Sequence, residues 1–190
     1  MANSSDNQHM TGEVVQIGII ASVDHGDASC TVQLGDIETG PLPWIAQRAG
    51  GVRCWSPPTI GEQCVLLCPE GDIQNGIILV GLYSDASPAP SASPHTARLD
   101  FPDGAFASYD HAGHAWTISV PAGGTVTIDA PGGTTVNGPV TINGLLTVND
   151  DVQISGTATA DADMVGGGKS LKDHRHTGVQ AGAAQSGAPA

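Results

Sequence analysis

Two histidines stand two residues apart near the C-terminus, in Lys172-Asp173-His174-Arg175-His176-Thr177-Gly178. In extended backbone, residues i and i+2 point to one face, so His174 and His176 would face one way and Arg175 the other. Two imidazoles from one chain cannot complete a metal shell. Three chains meeting on a threefold axis would bring six. Other residues with chemical potential read differently. Cys64 and Cys68 lie inside the apolar run Gln63-Cys64-Val65-Leu66-Leu67-Cys68, and their even spacing puts both on one strand face. They would serve as a zinc or redox pair, or as buried free thiols packing like small hydrophobes, and the second reading is preferred. His111 and His114 are three apart, which does not place them on one strand face, so they read as turn residues. Gly166-Gly167-Gly168-Lys169-Ser170 resembles the end of a phosphate loop. The pattern G-x-x-x-x-G-K-S fails because Asp163 stands where its first glycine belongs, and no helix-forming run follows. These glycines are expected to let chains crowd at a narrow axis.

The elements that must position these residues follow from composition. The chain has 190 residues with 26 Gly, 13 Pro and few aromatics, and Val, Ile and Thr fill its short apolar runs, which is a β composition. A formal charge of -13 argues against nucleic acid as a partner and offers nothing to anionic lipid. No apolar run approaches the roughly 20 residues that span a bilayer. The start, Met1-Ala2-Asn3-Ser4-Ser5-Asp6, lacks the basic and apolar regions of a signal peptide, so assembly in the cytoplasm is expected.

Residues 1–12 read as a flexible polar leader. Residues 13–83 hold five apolar runs, 13–23, 30–34, 42–45, 62–68 and 77–83, separated by turn signals such as Asp24-His25-Gly26-Asp27 and Gln74-Asn75-Gly76. Five short strands with tight turns predict a small barrel of the OB type. It lacks the basic groove and stacked aromatics of oligonucleotide-binding barrels, so it reads as a structural or docking module. Residues 84–97 are a Pro/Ser/Ala linker. Pro102-Asp103-Gly104 between alternating apolar residues predicts a hairpin.

Residues 98–162 are read as a shaft. From 116 to 154 the bulky apolar residues are Trp116, Ile118, Val120, Val126, Ile128, Val136, Val140, Ile142, Leu146, Val148, Val152 and Ile154, all even-numbered, with Leu145 the exception. Such parity means extended chain with one buried face. A six-residue repeat runs through Val140-Thr141-Ile142, Leu146-Thr147-Val148, Val152-Gln153-Ile154 and Ala158-Thr159-Ala160, each followed by Gly, Asn or Asp at a corner. A single-chain solenoid of stacked coils or three chains wound together would both cover that face. The region is short for a solenoid, and its apolar residues shrink to alanine, as in an object that narrows. The reading is therefore an obligate homotrimer whose shaft core is Ile118, Val126, Ile128, Val140, Ile142, Leu146, Val148, Val152 and Ile154. Residues 163–190 form the apex, ending in a small-residue tail.

Taken together, the chain resembles the baseplate assembly protein V family, the central spike of contractile phage tails and R-type pyocins. The resemblance rests on Leu42-Pro43-Trp44-Ile45, Arg48-Ala49-Gly50-Gly51, Trp55-Ser56-Pro57-Pro58, Gly61-Glu62-Gln63, Pro69-Glu70-Gly71-Asp72, Gly81-Leu82-Tyr83, Phe101-Pro102-Asp103-Gly104, Tyr109-Asp110, the Val-Thr-Ile repeats and His174-Arg175-His176. It implies an OB-fold ring docked in the baseplate under the tail tube, an intertwined trimeric β-helix, and a tapering tip that holds one iron ion per trimer, with further ions along the axis. It also implies a spike driven through the outer membrane of the target cell. Six imidazole nitrogens suit an octahedral transition metal such as iron or nickel better than zinc, magnesium or calcium. Asp173 and Thr177 flank the pair as expected hydrogen-bond partners of the ligands. No catalytic residues are expected. A tail hydrolase would need paired carboxylates in a cleft, whereas the acids here are mostly turn aspartates. A receptor-binding fibre would end in a broad domain rather than a small-residue tip.

Overall fold

The computed structural model describes residues 14–175, 177, 178 and 182. The leader expected over residues 1–12 lies outside these, as do His176 and most of the small-residue tail. The chain is nearly all β, with only two single-turn 3₁₀ segments, Pro69–Gly71 and Ile73–Asn75, among its named elements. It divides into two compact units, Met1–Ile128 and Asp129–Ala190.

The first unit begins with a six-stranded sheet. Its strands are β1 (Val15–Asp24), β2 (Ser29–Leu34), β3 (Ile37–Glu38), β4 (Leu42–Pro43), β5 (Gln63–Leu67) and β6 (Ile77–Leu79), in the order β3-β2-β1-β5-β6 with β4 also on β2. A parallel bridge between Trp44 and Ile78, with Ile45 N–H donating to the Ile78 carbonyl at 2.8 Å, ties the end of β4 to β6. That contact closes the sheet into a barrel and removes two edges.

Alternation explains the core. Cys64, Leu66 and Cys68 point inward from β5 and the residue after it, where they meet Ile20, Cys30, Val32, Leu42 and Ile78. All four cysteines are free thiols, and Cys30, Cys64 and Cys68 are core residues, the last two as their strand spacing indicated. Burial pushes the Cys30 thiol up to about 11 and raises Cys64 and Cys68 too. In β1 the register slips between Ile20 and Ser22. This bulge lets both Ile20 and Val23 pack on the core, although a regular strand would send them to opposite faces. Gly18 leaves no room for a side chain: a Cβ there would lie 2.3 Å from Val32 Cγ1 and 2.9 Å from the Gln33 carbonyl oxygen. The buried Thr39 hydroxyl accepts from Val32 N–H at 3.0 Å and donates to the Gly40 carbonyl at 2.8 Å, so it is satisfied. Glu62 pins the chain as it leaves the barrel: its carboxylate accepts from Thr59 N–H at 2.9 Å and Gly81 N–H at 3.1 Å.

A three-stranded antiparallel sheet follows, β7 (Thr96–Asp100), β8 (Phe106–Asp110) and β9 (Ala115–Ser119). The hairpin expected at Pro102-Asp103-Gly104 is present. Gly104 supplies a φ of 89°, Phe101 N–H donates to the Ala105 carbonyl at 2.9 Å, and Asp103 accepts from Ala105 N–H at 3.0 Å. Arg98 lies 3.9 Å over the Phe106 ring and pairs with Asp100 at 2.6 Å. His111 and His114 lie in the β8–β9 turn, with His114 at φ 52° and the Asp110 carboxylate accepting from Ala112 and Gly113 N–H.

Among the described residues, no strand is assigned between Ser119, the end of β9, and Val165. The large apolar residues of this stretch are bare: Val126, Ile128, Val140, Ile142, Leu146, Val148, Val152 and Ile154 range from 49% to 73% exposed. Ile118, in β9, is 58% exposed. The second unit resumes regular structure only at β10 (Val165–Gly166) and β11 (Lys169–Ser170), a two-residue-per-strand hairpin.

Candidate metal centre

The β10–β11 hairpin leads directly into the histidine segment. Its turn is Gly167-Gly168, at φ 55° and 76°. Two consecutive central residues at positive φ are what the tightest hairpin turn with right-handed strand twist requires, and glycine takes them without strain. Local backbone geometry therefore asks for both of these glycines. The glycine run forms no helix-opening phosphate loop. Leu171 N–H donates to the Met164 carbonyl at 2.8 Å and extends the pairing by one rung.

A carboxylate locks the base of this hairpin. Asp163 accepts from the Ser170 side chain and from Lys172 N–H, the latter at 3.1 Å. These bonds, the Ser170 hydroxyl first, hold its carboxyl below the ordinary carboxylate value. Ser170 Oγ in turn accepts from Asp173 N–H at 2.8 Å. Asp163 and Ser170 therefore set the path of the backbone into His174. In the sequence Asp163 stands out only as the residue that breaks the phosphate-loop pattern. Its signal was available as a side-chain acceptor facing a turn, but at a separation no short motif covers.

His174 is exposed, and its Nδ1 lies 3.0 Å from the Leu171 carbonyl oxygen. A carbonyl can only accept, so Nδ1 is the donor in this contact. Metal-binding histidines commonly hold their other ring N–H on a backbone carbonyl in this way, which fixes the tautomer and orients the ring. The imidazole donor fits a first-row transition metal. His176, the other expected ligand, lies outside the described residues. Asp173 and Thr177 are exposed. Among the described residues of one chain, no three His, Cys, Asp or Glu side chains gather as a metal site.

An OB-type barrel at one end of the sequence and a histidine-bearing apex at the other define a tail-injector component. The family model of the Type VI secretion system/phage-baseplate injector OB domain matches residues 16–83, and the GpV apex motif matches residues 170–190, which include both histidines. The spike protein of Escherichia phage P2 is 32% identical over 202 residues, covering 96% of this chain and 96% of that protein. The chain belongs to the spike-protein family of phage baseplates.

Proposed function

We propose that three copies of this chain form the puncturing spike at the tip of a contractile tail or pyocin, carried by one observation. A spike-family chain exposes its whole series of even-numbered apolar residues between 118 and 154, and among the described residues no ladder pairs one hexad with the next. A single-chain solenoid would satisfy its backbone through such ladders. Three chains wound about one axis would satisfy backbone and apolar face together, each chain supplying one wall of a tapering β-helix. The barrel docks within the baseplate under the tail tube. The apex meets the target outer membrane when the sheath contracts. The protein's work is mechanical, without catalysis.

At the tip, His174 and His176 from each of three chains would hold one iron ion, and the ion would supply a six-coordinate crosslink among the chain ends. The residues of this chain prepare that role. Asp163, Ser170 and the Gly167-Gly168 turn fix the approach of the backbone, and the Leu171 carbonyl sets the ring of His174. Asp173 and Thr177 are the proposed hydrogen-bond partners of the remaining ring atoms. Ends tied in this way resist the fraying that free termini show. Elemental analysis of the full chain, purified without chelator, should find about one transition-metal ion per three chains, as six-nitrogen coordination demands. A preparation devoid of metal, or one ion per single chain, overturns the apex assignment.

A further inference from the structure

The barrel has one wet wall and one dry wall. On the wet side, β2 presents Ser29, Thr31 and Gln33 outward, and Thr31 hydrogen-bonds both Ser22 at 2.8 Å and Glu38 at 2.7 Å. Next to it, the first half of β1 stands beside β5 and β6, and apart from Gln63 the outward residues there are apolar. The register builds two complete rows across the three strands, Val15–Leu67–Ile77 and Ile17–Val65–Leu79. Val15 is 53% exposed, Ile17 64% and Leu79 43%. Ile19, 50% exposed, extends the surface to Gln63, the polar residue of this wall, and no charged side chain lies in the two rows. An exposed apolar sheet face of this kind marks an interface.

We infer that the dry wall faces the threefold axis and is covered by the dry walls of two further copies of this chain. The inference rests on the trimeric reading of the shaft. Each chain carries a formal charge of -13, so copies repel wherever their acidic surfaces approach. The barrel's charge-free wall is the face that three copies bring together at least electrostatic cost. A shaft that joins the same three chains keeps their barrels at high effective concentration, so a modest apolar contact suffices to hold them. The polar β2 wall, with its satisfied Ser22–Thr31–Glu38 chain, is then left outward.

Thiol labelling of the full-length chain tests this. Cys30, Cys64 and Cys68 are buried, so a Cys54→Ser background leaves a near-silent protein for single added cysteines. Ile17→Cys reports the dry wall and Thr31→Cys the wet wall. The inference expects a maleimide to label Ile17→Cys at least about tenfold more slowly than Thr31→Cys, although Ile17 is the more exposed of the two in the single chain. It also expects a short bis-maleimide to join chains through Ile17→Cys and not through Thr31→Cys. Sedimentation of the same samples separates the two claims. A trimer in which Ile17→Cys labels as fast as Thr31→Cys overturns the wall assignment alone, and a monomer overturns the trimeric reading beneath it. Protection without cross-linked chains means that some other segment covers the wall and overturns the second-copy occupant. Leu79→Cys, in the second row, repeats the test if Ile17→Cys does not fold.

Discussion

Ile142→Ala separates a shaft made by one chain from a shaft made by three. Ile142 is 53% exposed in the single chain. If that exposure persisted, truncating the side chain would act like a surface substitution and change stability by no more than about 0.5 kcal/mol. If partner chains bury it, the loss is that of a core isoleucine, about 2–5 kcal/mol per chain. The three copies on one axis lose it together, so the assembled trimer loses roughly 6–15 kcal/mol before relaxation. Leu66→Ala provides the internal standard, because Leu66 is 0% exposed within one barrel and its cost is independent of assembly. The assay is denaturant unfolding of the full chain at two protein concentrations, followed by far-ultraviolet circular dichroism, which reports both regions. The account predicts that Ile142→Ala lowers the shaft transition strongly and that this transition shifts with protein concentration. A wild-type-like transition for Ile142→Ala, alongside a damaged one for Leu66→Ala, would refute the buried-face argument.

Four further perturbations probe the parts. The thiols of Cys30, Cys64 and Cys68 are raised in the folded chain, so their contribution is complete below the ordinary thiol value of 9.0 and is lost as pH climbs towards the folded value of about 11 for Cys30. The denaturation midpoint of the barrel should fall across that window, and Cys30→Val should fall less steeply; an identical alkaline profile would contradict the assignment. Gly18→Ala should destabilise the barrel by about 1–3 kcal/mol through overpacking against Val32, as read by the shift in urea midpoint. His176→Ala should abolish bound metal while leaving the shaft transition in place, and retention of the metal would exclude that residue as a ligand; Asp163→Ala should speed hydrogen exchange at the Lys172 amide and leave the barrel unchanged.

Much of the barrel was legible because its strands are half-buried and period-two chemistry is strong there. Cys64, Leu66 and Cys68 declare a face by themselves, and each of the five apolar runs contains a strand. β3 escaped notice because Ile37–Glu38 is two residues long and follows its turn at once. Barrel closure was not legible either, since the Trp44–Ile78 bridge joins residues remote in sequence and no local pattern encodes it. At the apex, the histidines announced themselves by type and spacing. The Asp163–Ser170 clamp and the Gly167-Gly168 turn did not, because two-residue strands carry no hydrophobic period and a hydrogen bond across seven positions leaves no composition signal. The bulge after Ile20 shows the limit of parity itself, for one extra residue reverses which positions face the core.

The central claim is that this chain is incomplete alone and that its shaft exists only between copies. Sedimentation equilibrium of the purified full-length chain at micromolar concentration tests it most directly. The account predicts a single species of three times the chain mass of 19.1 kDa, with metal bound in the ratio of one ion to three chains. A folded, stable species at the mass of one chain would contradict it.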